Sequence, residues 1–184
     1  MTTQELIEKC ASGDAQAFDV LVRTYQTKII NIAYGMLQNK EDAYDVAQEV
    51  FIKIYRNIGA FTGKASLDTW IHRITVNASL DVLRKNGRRV QTVPLMTEKD
   101  DAQVELPIVD ESAAPEKLAL ASERRREILA AIGKLQEKYR TVLVLREFED
   151  MDYEQIAATL NISVGTVKSR LSRAREKLRN FLEK

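Results

Sequence analysis

Apolar residues recur every three or four positions through most of the chain, a pattern that predicts a series of amphipathic helices. A first helix is expected from a cap at Thr2 to about Ser12, where Gly13 stops it. Asp14 is a good cap for a second helix, whose apolar positions continue to about Leu37. No stretch shows the alternation typical of strands, so the pattern favours an all-α fold.

Two further helices complete the first group. Asn39 is placed to cap a third helix, and Ser66 is placed to cap a fourth. We expect the fourth helix to end at about Lys85, because the pair Asn86-Gly87 follows it. The apolar faces of these four helices are sufficient for one compact bundle, a domain of residues 1–90.

Residues 91–115 differ in composition from the rest of the chain. The three prolines Pro94, Pro107 and Pro115 all fall there, acidic residues outnumber basic ones, and no hydrophobic period is visible. We therefore expect a flexible acidic linker, extended or disordered when free. A long surface loop packed on one domain is the alternative.

The second domain, residues 116–184, reads as four more helices. Pro115 is placed to begin a helix that continues to about Gly133, and the next helix should end near Glu147. Asp152 can then cap a short helix and Ser163 a longer one, with a tight turn between them. Two short helices so joined make a helix-turn-helix, whose second helix can enter a DNA major groove.

The longer of these two helices carries basic and small polar residues away from its apolar stripe. A capped helix N-terminus with several cations suits DNA phosphates and base edges. A merely solvated basic face is the plainer alternative. The candidate DNA-contacting residues are Ser163, Thr166, Lys168, Ser169, Arg170, Ser172, Arg173 and Arg175.

Composition limits the class of protein. With 45% apolar and 30% charged residues among 184, the chain is typical of a soluble globular protein. Its net charge of +1 means that a nucleic-acid-binding protein would have to separate its charges in space. No apolar run could span a membrane and no signal peptide opens the chain, so we expect a cytoplasmic protein without stable membrane insertion.

Few residues suggest chemistry. Cys10 is the single cysteine, which excludes an internal disulfide and is expected to be a small apolar filler on the first helix. His72 is the single histidine, and one histidine with one cysteine far away in sequence makes no zinc site. Nucleotide-binding and nucleophile motifs are lacking as well. We expect no catalytic residues, metal or cofactor, and we therefore expect that the protein is not an enzyme.

Polar residues of the first domain form two sets. In EDAYDVAQEVFIKIYRNI, Asp45 and Glu49 share a helix face, which by itself indicates only a solvated surface. Residues 61–85 mix aromatic, basic and amide side chains, a combination that suits single-stranded DNA. For Trp70 a place in the core is the alternative, and for Asp81 an ion pair within the helix.

The run VLVLREFEDMDYEQIAATLNISVGTVKSRLSRAREKLR resembles the promoter-reading domain of bacterial sigma factors of the extracytoplasmic-function type. SVGTVKSRLSRAREKL is its most specific part, and the resemblance covers residues 6–182 apart from the linker. It implies a protein that binds core RNA polymerase, directs it to −10 and −35 promoter elements, and is inhibited by an anti-sigma factor. We expect the free chain to be a monomer.

The resemblance also implies roles for individual residues. DAYDVAQEVFIKIY is similar to the segment that binds the coiled coil of the largest polymerase subunits, which implies contacts by Asp45, Gln48, Glu49 and Lys53. The next segment is similar to the one that captures and melts the −10 element. The residues implied there are Phe61, Lys64, Ser66, Trp70, Arg73, Asn77, Arg84 and Lys85. The candidate DNA-contacting residues of the helix-turn-helix would then read the −35 element.

Two other functions compete with this interpretation. A dimeric operator-binding regulator could use the same helix-turn-helix, but it would need a dimer interface or an effector pocket in the first domain. An enzyme acting on nucleic acid would need a metal or nucleophile site. The single-stranded-DNA set in the first domain favours the initiation factor.

Overall fold

A computed structural model describes residues 1–90 and 115–183 of the chain. Within these ranges the secondary structure is helical throughout, as the sequence predicts, and contains no strand. The flexible linker predicted for residues 91–115 lies outside the described residues, apart from its last position. Among the described helices none is long and apolar enough to cross a membrane.

The helices follow one another in two groups. The first contains α1 (Thr3–Ala11), α2 (Ala15–Leu37), α3 (Lys40–Asn57) and α4 (Leu67–Val90), with a short 3-10 turn at Ile58–Ala60. The second contains α5 (Pro115–Gly133), α6 (Glu137–Phe148), α7 (Tyr153–Leu160) and α8 (Val164–Leu182). We call these groups the N-terminal and C-terminal halves.

The predicted caps hold the helix starts of the N-terminal half. Thr2 forms a capping box at α1, and the Asp14 carboxylate accepts two backbone N–H groups of α2. The Asn39 amide oxygen accepts one N–H at 3.0 Å, and the Ser66 hydroxyl accepts one at 3.1 Å. Each cap satisfies donors that the first helical turn leaves without partners.

Helix α4 is longer than predicted, and the expected end near Lys85 is wrong. The helix continues through Asn86-Gly87 to Val90. A glycine inside a helix costs only about 1 kcal/mol relative to alanine, and the two arginines after it are good helix formers. The glycine therefore lies within the helix instead of capping it.

The core of the N-terminal half lies among α2, α3 and α4. Leu21, Val50, Ile54 and Ile71 have no exposed surface there. Helix α1 covers this core from one side with Cys10, which is buried and reduced, as its expected role as a small apolar filler requires. Burial of these side chains supplies the main driving force for the bundle.

A second apolar cluster joins the two halves. Ile32 and Met36 of α2 and Val76 of α4 belong to the same buried cluster as Val144 of α6 and Ile156 of α7. All five are at most 2% exposed. The halves therefore pack directly on each other through a continuous apolar contact.

The closest approach in this contact is at Gly35 of α2. A Cβ atom at this position would lie 2.8 Å from the Phe148 ring and 2.9 Å from Val144 Cγ1, closer than packed carbon atoms tolerate. Beside it, the Arg140 guanidinium donates to the Met36 carbonyl at 2.6 Å and to two carbonyls near the end of α5. Glycine thus allows α6 to dock against the α2 backbone.

Glu149, directly after α6, adds a carboxyl group to the same contact. It is half-buried and lies near Lys28 and Asn31, both of α2. Burial raises the pKa of Glu149 to about 7, although the Lys28 charge and the Asn31 amide act in the opposite direction. The neighbouring Asp150 adds a smaller increase.

We predict that this carboxyl makes the stability of the chain depend on pH. Its pKa is about 7 when buried, against an ordinary 4.5 when unfolded. Its contribution is therefore fully present below pH 4.5 and lost as pH rises through about 7. Glu149→Gln keeps a neutral polar group at every pH. The variant should therefore melt at a higher temperature than wild type at pH 8, and the two melting temperatures should differ little near pH 5.

The measurement is a series of thermal melts of both proteins from pH 5 to pH 8. Glu154→Gln, which removes an exposed carboxylate from the first turn of α7, is the matched control and should show no such growing difference. The titration of His72 and the other groups is common to all three proteins. A Glu149→Gln difference that stays constant across this range would contradict the prediction.

Candidate nucleic-acid interface

The four residues assigned to polymerase binding lie on the outer face of α3. Asp45, Gln48 and Glu49 are exposed, and Lys53 is half-buried. Lys53 pairs with Glu49, Nζ to Oε1 at 2.7 Å, one helical turn apart. Such an exposed pair contributes little to stability, so this face is available for an external partner. The inner face of α3, including Val50, is buried.

The same face of α3 exposes apolar side chains that the sequence assignment missed. Tyr44, Ile52 and Tyr55 are 44%, 50% and 57% exposed. The Tyr55 ring contacts Phe18 of α2 edge-on, with 5.1 Å between the ring centroids. Large exposed apolar side chains grouped on one surface are typical of protein-binding sites. The sequence did contain a sign of this exposure, because Ile52 and Tyr55 fall outside the apolar face that the helical periodicity of α3 predicts to be buried.

The aromatic residues assigned to the −10 element form a pair at the start of α4. The Phe61 and Trp70 ring centroids are 5.4 Å apart and both rings are half-buried on the N-terminal core. Trp70 therefore combines core packing with a partly accessible surface. Lys64 is exposed in the loop, next to Gly63 in a left-handed conformation (φ +70°). The Ser66 hydroxyl is engaged in capping α4.

Arg73 and Asn77, one turn apart on α4, lie against the C-terminal half. The Arg73 guanidinium donates to the carbonyl oxygen of Ala158 in α7, with Nε at 3.2 Å. Asn77 lines a cleft of about 380 Å³ whose opposite wall contains Thr159 and Asn161. The structure thus brings two of the −10 candidates to the contact between the halves.

Arg84 and Lys85 are exposed farther along α4. Arg84 pairs with Asp81 at 3.3 Å, as in the alternative considered for Asp81, and lies 4.0 Å from Glu137 of α6. At 1.5 Å rise per residue, Lys85 is roughly 27 Å along the helix axis from Leu67. The −10 candidates therefore form a line along α4 instead of one compact pocket.

His72 is buried, and neither ring nitrogen has a hydrogen-bond partner among the described residues. Burial lowers the pKa of His72. The nearby charge of Asp68 raises this pKa, and the charge of Lys28 lowers it further. Asp68 is itself bonded to Lys28 and Tyr25, both at 3.2 Å. Within residues 1–90 and 115–183, no group of three or more potential metal ligands is present.

The helix-turn-helix has the predicted geometry. Asp152 and Gln155 form a capping box at α7, and Asn161 ends that helix in a left-handed conformation (φ 53°). The Ser163 hydroxyl accepts the Thr166 N–H at 3.1 Å and so caps α8. These local bonds fix the turn and, with it, the angle between the two helices.

Helix α8 buries Val167, Leu171 and Ala174 against the rest of the C-terminal half. The −35 candidates surround this stripe: Thr166 and Arg170 are half-buried, whereas the exposed ones are Ser163, Lys168, Ser169, Ser172, Arg173 and Arg175. Two of the arginines already interact with groups within the chain. Arg173 lowers the pKa of the neighbouring Tyr139 hydroxyl, and Arg175 pairs with Glu147 at 2.9 Å.

Helix α6 contributes one cation next to α8, Arg146, that the sequence assignment also missed. The guanidinium carbon of Arg146 lies 5.6 Å from the centre of the Tyr153 ring, and Lys168 Nζ lies 5.8 Å from it. Arg175 is also close to Tyr153, which contributes a small increase to the pKa of Arg175 after the larger effect of Glu147. This group at the start of α7 extends the basic surface of α8. Arg146 was missed because α6 otherwise shows the pattern of a buried helix.

Two protein-family models match this chain. The model described as Sigma-70 region 2 matches residues 21–89, which include all of α3 and most of α2 and α4. The model described as Sigma-70, region 4 matches residues 125–178, which include α6, α7 and most of α8. Each half of the structure therefore has a counterpart in the same family.

Several relatives match along nearly the whole length. The RNA polymerase sigma-H factor of Pseudomonas aeruginosa is 38% identical over 180 residues, 98% of this chain and 93% of the relative. The ECF RNA polymerase sigma-E factor of Haemophilus influenzae is 38% identical over 186 residues, 100% and 96% of the two chains. The sigma-E factor of Escherichia coli is 37% identical over 187 residues, 100% and 95%.

Solved structures agree with this relationship. CnrH, solved in complex with the cytosolic domain of CnrY, is 25% identical with a TM-score of 0.70, covering 97% of this chain and 95% of that chain. The sigma factor RpoE of Bartonella quintana, in complex with the anti-sigma factor NepR, shares the fold with a TM-score of 0.70 at 22% identity, over 92% of this chain and 98% of that one. Both family models and the full-length relatives show that this chain belongs to the extracytoplasmic-function (ECF) group of RNA polymerase sigma factors.

Proposed function

We propose that this protein is a transcription initiation factor that binds core RNA polymerase and directs it to promoters with −10 and −35 elements. The observation that supports it best is that one chain presents two different surfaces in its two family-matched halves. α3 exposes acidic and apolar side chains, and α8 exposes cations at a capped helix start. We also propose that residues 1–90 and 116–184 act as separate domains.

The polymerase-binding role is proposed for the outer face of α3. Carboxylates at Asp45 and Glu49 lie beside exposed Ile52 and Tyr55, so the face offers both charge and apolar surface. Protein interfaces combine an apolar centre with a polar rim in this way. We include the apolar residues in the proposed site together with the four residues implied by the resemblance.

The −10 role is proposed for the line from Phe61 to Lys85. The half-buried pair of Phe61 and Trp70 offers aromatic surface for a base, and stacking of this kind is worth about 1–3 kcal/mol per base. The exposed cations Lys64, Arg73 and Arg84 would hold phosphates along the same strand. This arrangement suits melting, because a surface that receives an unstacked base offsets the free-energy cost of taking that base out of the stack.

The −35 role is proposed for α8 and the cations beside it. Its N-terminus is capped by Ser163 and followed by exposed Lys168, Ser169 and Ser172. Side chains near the start of a recognition helix are those that contact base edges. Arg146 and Tyr153 are placed to contact the adjacent phosphates.

We also propose that an anti-sigma factor holds this protein inactive. Both full-length structural matches were solved with bound protein: CnrH with a cytosolic domain of CnrY, and RpoE with the anti-sigma factor NepR. The free protein is proposed to be a cytoplasmic monomer without catalytic activity of its own. A dimeric regulator is disfavoured because it would need a dimer interface or an effector pocket in the N-terminal half, whereas that half matches Sigma-70 region 2.

Run-off transcription on a promoter library tests the main proposal. The protein alone should make no RNA, because catalysis resides in the polymerase. Core polymerase with this protein should initiate at specific sites that core alone does not use. Identical start sites with and without the protein would contradict the initiation-factor function.

A further inference from the structure

A tyrosine at the start of α7 lies among positive charges that come from two other helices. The guanidinium carbon of Arg146 on α6 is 5.6 Å from the centre of the Tyr153 ring, and Lys168 Nζ on α8 is 5.8 Å from it. Arg175, farther along α8, is also close to this tyrosine. The fold thus gathers three cations of separate helix positions around one ring.

The charges of this group do not balance. Glu147 pairs with Arg175, Oε1 to Nη2 at 2.9 Å, which offsets one of the three cations. Within the part of the chain that the structure describes, Arg146 and Lys168 form no ion pair with a carboxylate. Two neighbouring positive charges without a counter-charge attract an anion. Because α8 is the helix proposed to enter the major groove, the anions nearest to this group in the complex are phosphates of the DNA backbone.

We propose that Tyr153 is a positioning residue of the DNA-binding surface: its ring holds Arg146 and Lys168 in place, so that both cations contact backbone phosphates beside the −35 bases. This inference rests on the proposed function, which assigns α8 to the −35 element. It gives the tyrosine a role that does not require contact between its own hydroxyl and the DNA.

The Tyr153 ring is itself held by the fold. It is half-buried and packs on the apolar cluster that includes Ile156 and Leu171. The preceding residue, Asp152, forms the capping box of α7, which fixes the backbone at this position. The face of an aromatic ring is electrically negative and attracts a cation placed over it. A fixed ring therefore offers flexible cationic side chains a fixed place to rest.

Arg146 is held from a second direction as well. Its Nη1 donates to the Met151 carbonyl at 2.8 Å, in the loop that leads into α7. A guanidinium carries N–H donors on all of its nitrogens, so the nitrogens other than Nη1 can donate to a phosphate. Long cationic side chains lose rotamer freedom when they bind, and ordering them before the DNA arrives lowers that entropic cost.

The test measures binding of the full chain to duplex DNA as a function of salt. The probe is a short labelled duplex selected from a random pool by the wild-type chain. The logarithm of the affinity falls linearly with the logarithm of the salt concentration, with a slope of about −0.9 for each phosphate that the protein neutralises. Arg146→Ala and Lys168→Ala should each make this slope shallower by about one unit. Lys9→Ala, which removes an exposed lysine of α1, should leave the slope unchanged.

Tyr153→Leu should make the slope shallower by about one to two units although it removes no charge, because both cations lose the ring that holds them. At about 0.1 M salt, one unit of slope corresponds to about a tenfold loss of affinity, and the loss should disappear as the salt approaches about 1 M. Tyr153→Phe keeps the ring without the hydroxyl and should keep the wild-type slope. In a chain that already carries Arg146→Ala and Lys168→Ala, Tyr153→Leu should not change the slope further, since the tyrosine acts through those two cations.

Circular dichroism and thermal melts establish that each variant is folded. Tyr153→Met, whose flexible side chain fills the same apolar contact, is a second variant without a ring and should give the same result as Tyr153→Leu. A tyrosine that only supports packing would lower the melting temperature and leave the slope of the folded protein unchanged. An unchanged slope for the folded variants without a ring would therefore overturn the proposal, and so would equal changes of slope for Tyr153→Phe and Tyr153→Leu.

Failure of the proposed function gives a different result. Run-off transcription would then show the same start sites with and without this protein, whatever the salt slopes of the Tyr153 variants. Start sites that depend on this protein, together with an unchanged slope for Tyr153→Leu, would overturn the positioning role of the tyrosine alone.

Discussion

Replacement of Ile52 by glutamate should weaken binding of core RNA polymerase at least tenfold without lowering the melting temperature of the free protein. Ile52 is 50% exposed on the outer face of α3, next to the assigned Glu49 and Gln48. In a complex this side chain would be desolvated, where a new unpaired carboxylate is costly. A tenfold loss corresponds to about 1.4 kcal/mol.

The free protein should tolerate Ile52→Glu because the position faces solvent and glutamate is a good helix former. Substitutions at such positions usually change stability by about 0.5 kcal/mol or less. Asp45→Ala combined with Glu49→Ala should weaken the same complex, and the loss should decrease at high salt. Added salt screens the charges that these two carboxylates contribute.

Titration of labelled protein with core polymerase measures these affinities. Leu182→Glu is the matched control: it changes a 44% exposed apolar residue at the far end of α8. It should leave the affinity within a small factor of wild type. Equal affinities for Ile52→Glu and Leu182→Glu would show that the outer face of α3 is not the polymerase-binding surface.

The helix starts could be predicted from the sequence because capping is a local interaction. Asp152 and Ser163 bond to backbone groups three residues away, so the residue types and their spacing contain the whole signal. The prediction for the end of α4 was wrong because it relied on a local signal alone. Asn86-Gly87 resembles a local stop signal, but the continuing helix outweighs the small cost of one glycine.

Docking of the two halves could not be predicted, because its determinants are far apart in sequence. Gly35 looks like a tolerated glycine in a long helix, and only the approach of Phe148 and Val144 gives it a role. The same applies to Arg73, whose basic side chain fits a DNA site in the sequence but bonds to Ala158 in the structure. Periodicity identifies buried faces and leaves their partners open.

The recognition surface was only partly predictable. The sequence identified the cations of α8, but it did not show that Arg175 pairs with Glu147 or that Arg173 lies near Tyr139 and lowers its pKa. It also left Arg146 unassigned, since the neighbouring residues of α6 are buried. Residue types along one helix cannot show which charges an adjacent helix already satisfies.

Arg173→Ala should cost about 1–3 kcal/mol in binding to a −35 duplex and relax the sequence preference at one position. Arg173 is exposed near the middle of α8, ten residues after the Ser163 cap, on the helix that would enter the major groove. Tyr139→Phe removes the hydroxyl whose pKa Arg173 lowers and tests whether that hydroxyl only orients the arginine. It should have a smaller effect than Arg173→Ala.

Arg179, farther along α8, is the matched comparison because it is also an exposed arginine. If it contacts a phosphate, Arg179→Ala should weaken all sequences evenly and lower the salt slope by about one unit. Titrations of the full chain on duplexes with single-base changes, at several salt concentrations, distinguish the two patterns. Uniform weakening by both variants would contradict base reading by Arg173.

The same titrations, combined with analytical ultracentrifugation, separate the initiation factor from a dimeric regulator. A regulator that reads a palindrome needs two recognition helices about one turn of DNA apart, whereas a polymerase-bound factor needs one. The full chain should therefore sediment as a monomer. Its affinity for a single asymmetric −35 site should equal its affinity per site for an inverted pair of sites. A stable dimer that prefers the inverted site would contradict the initiation-factor function and support the dimeric regulator, because the second recognition helix would then come from a second copy of the chain.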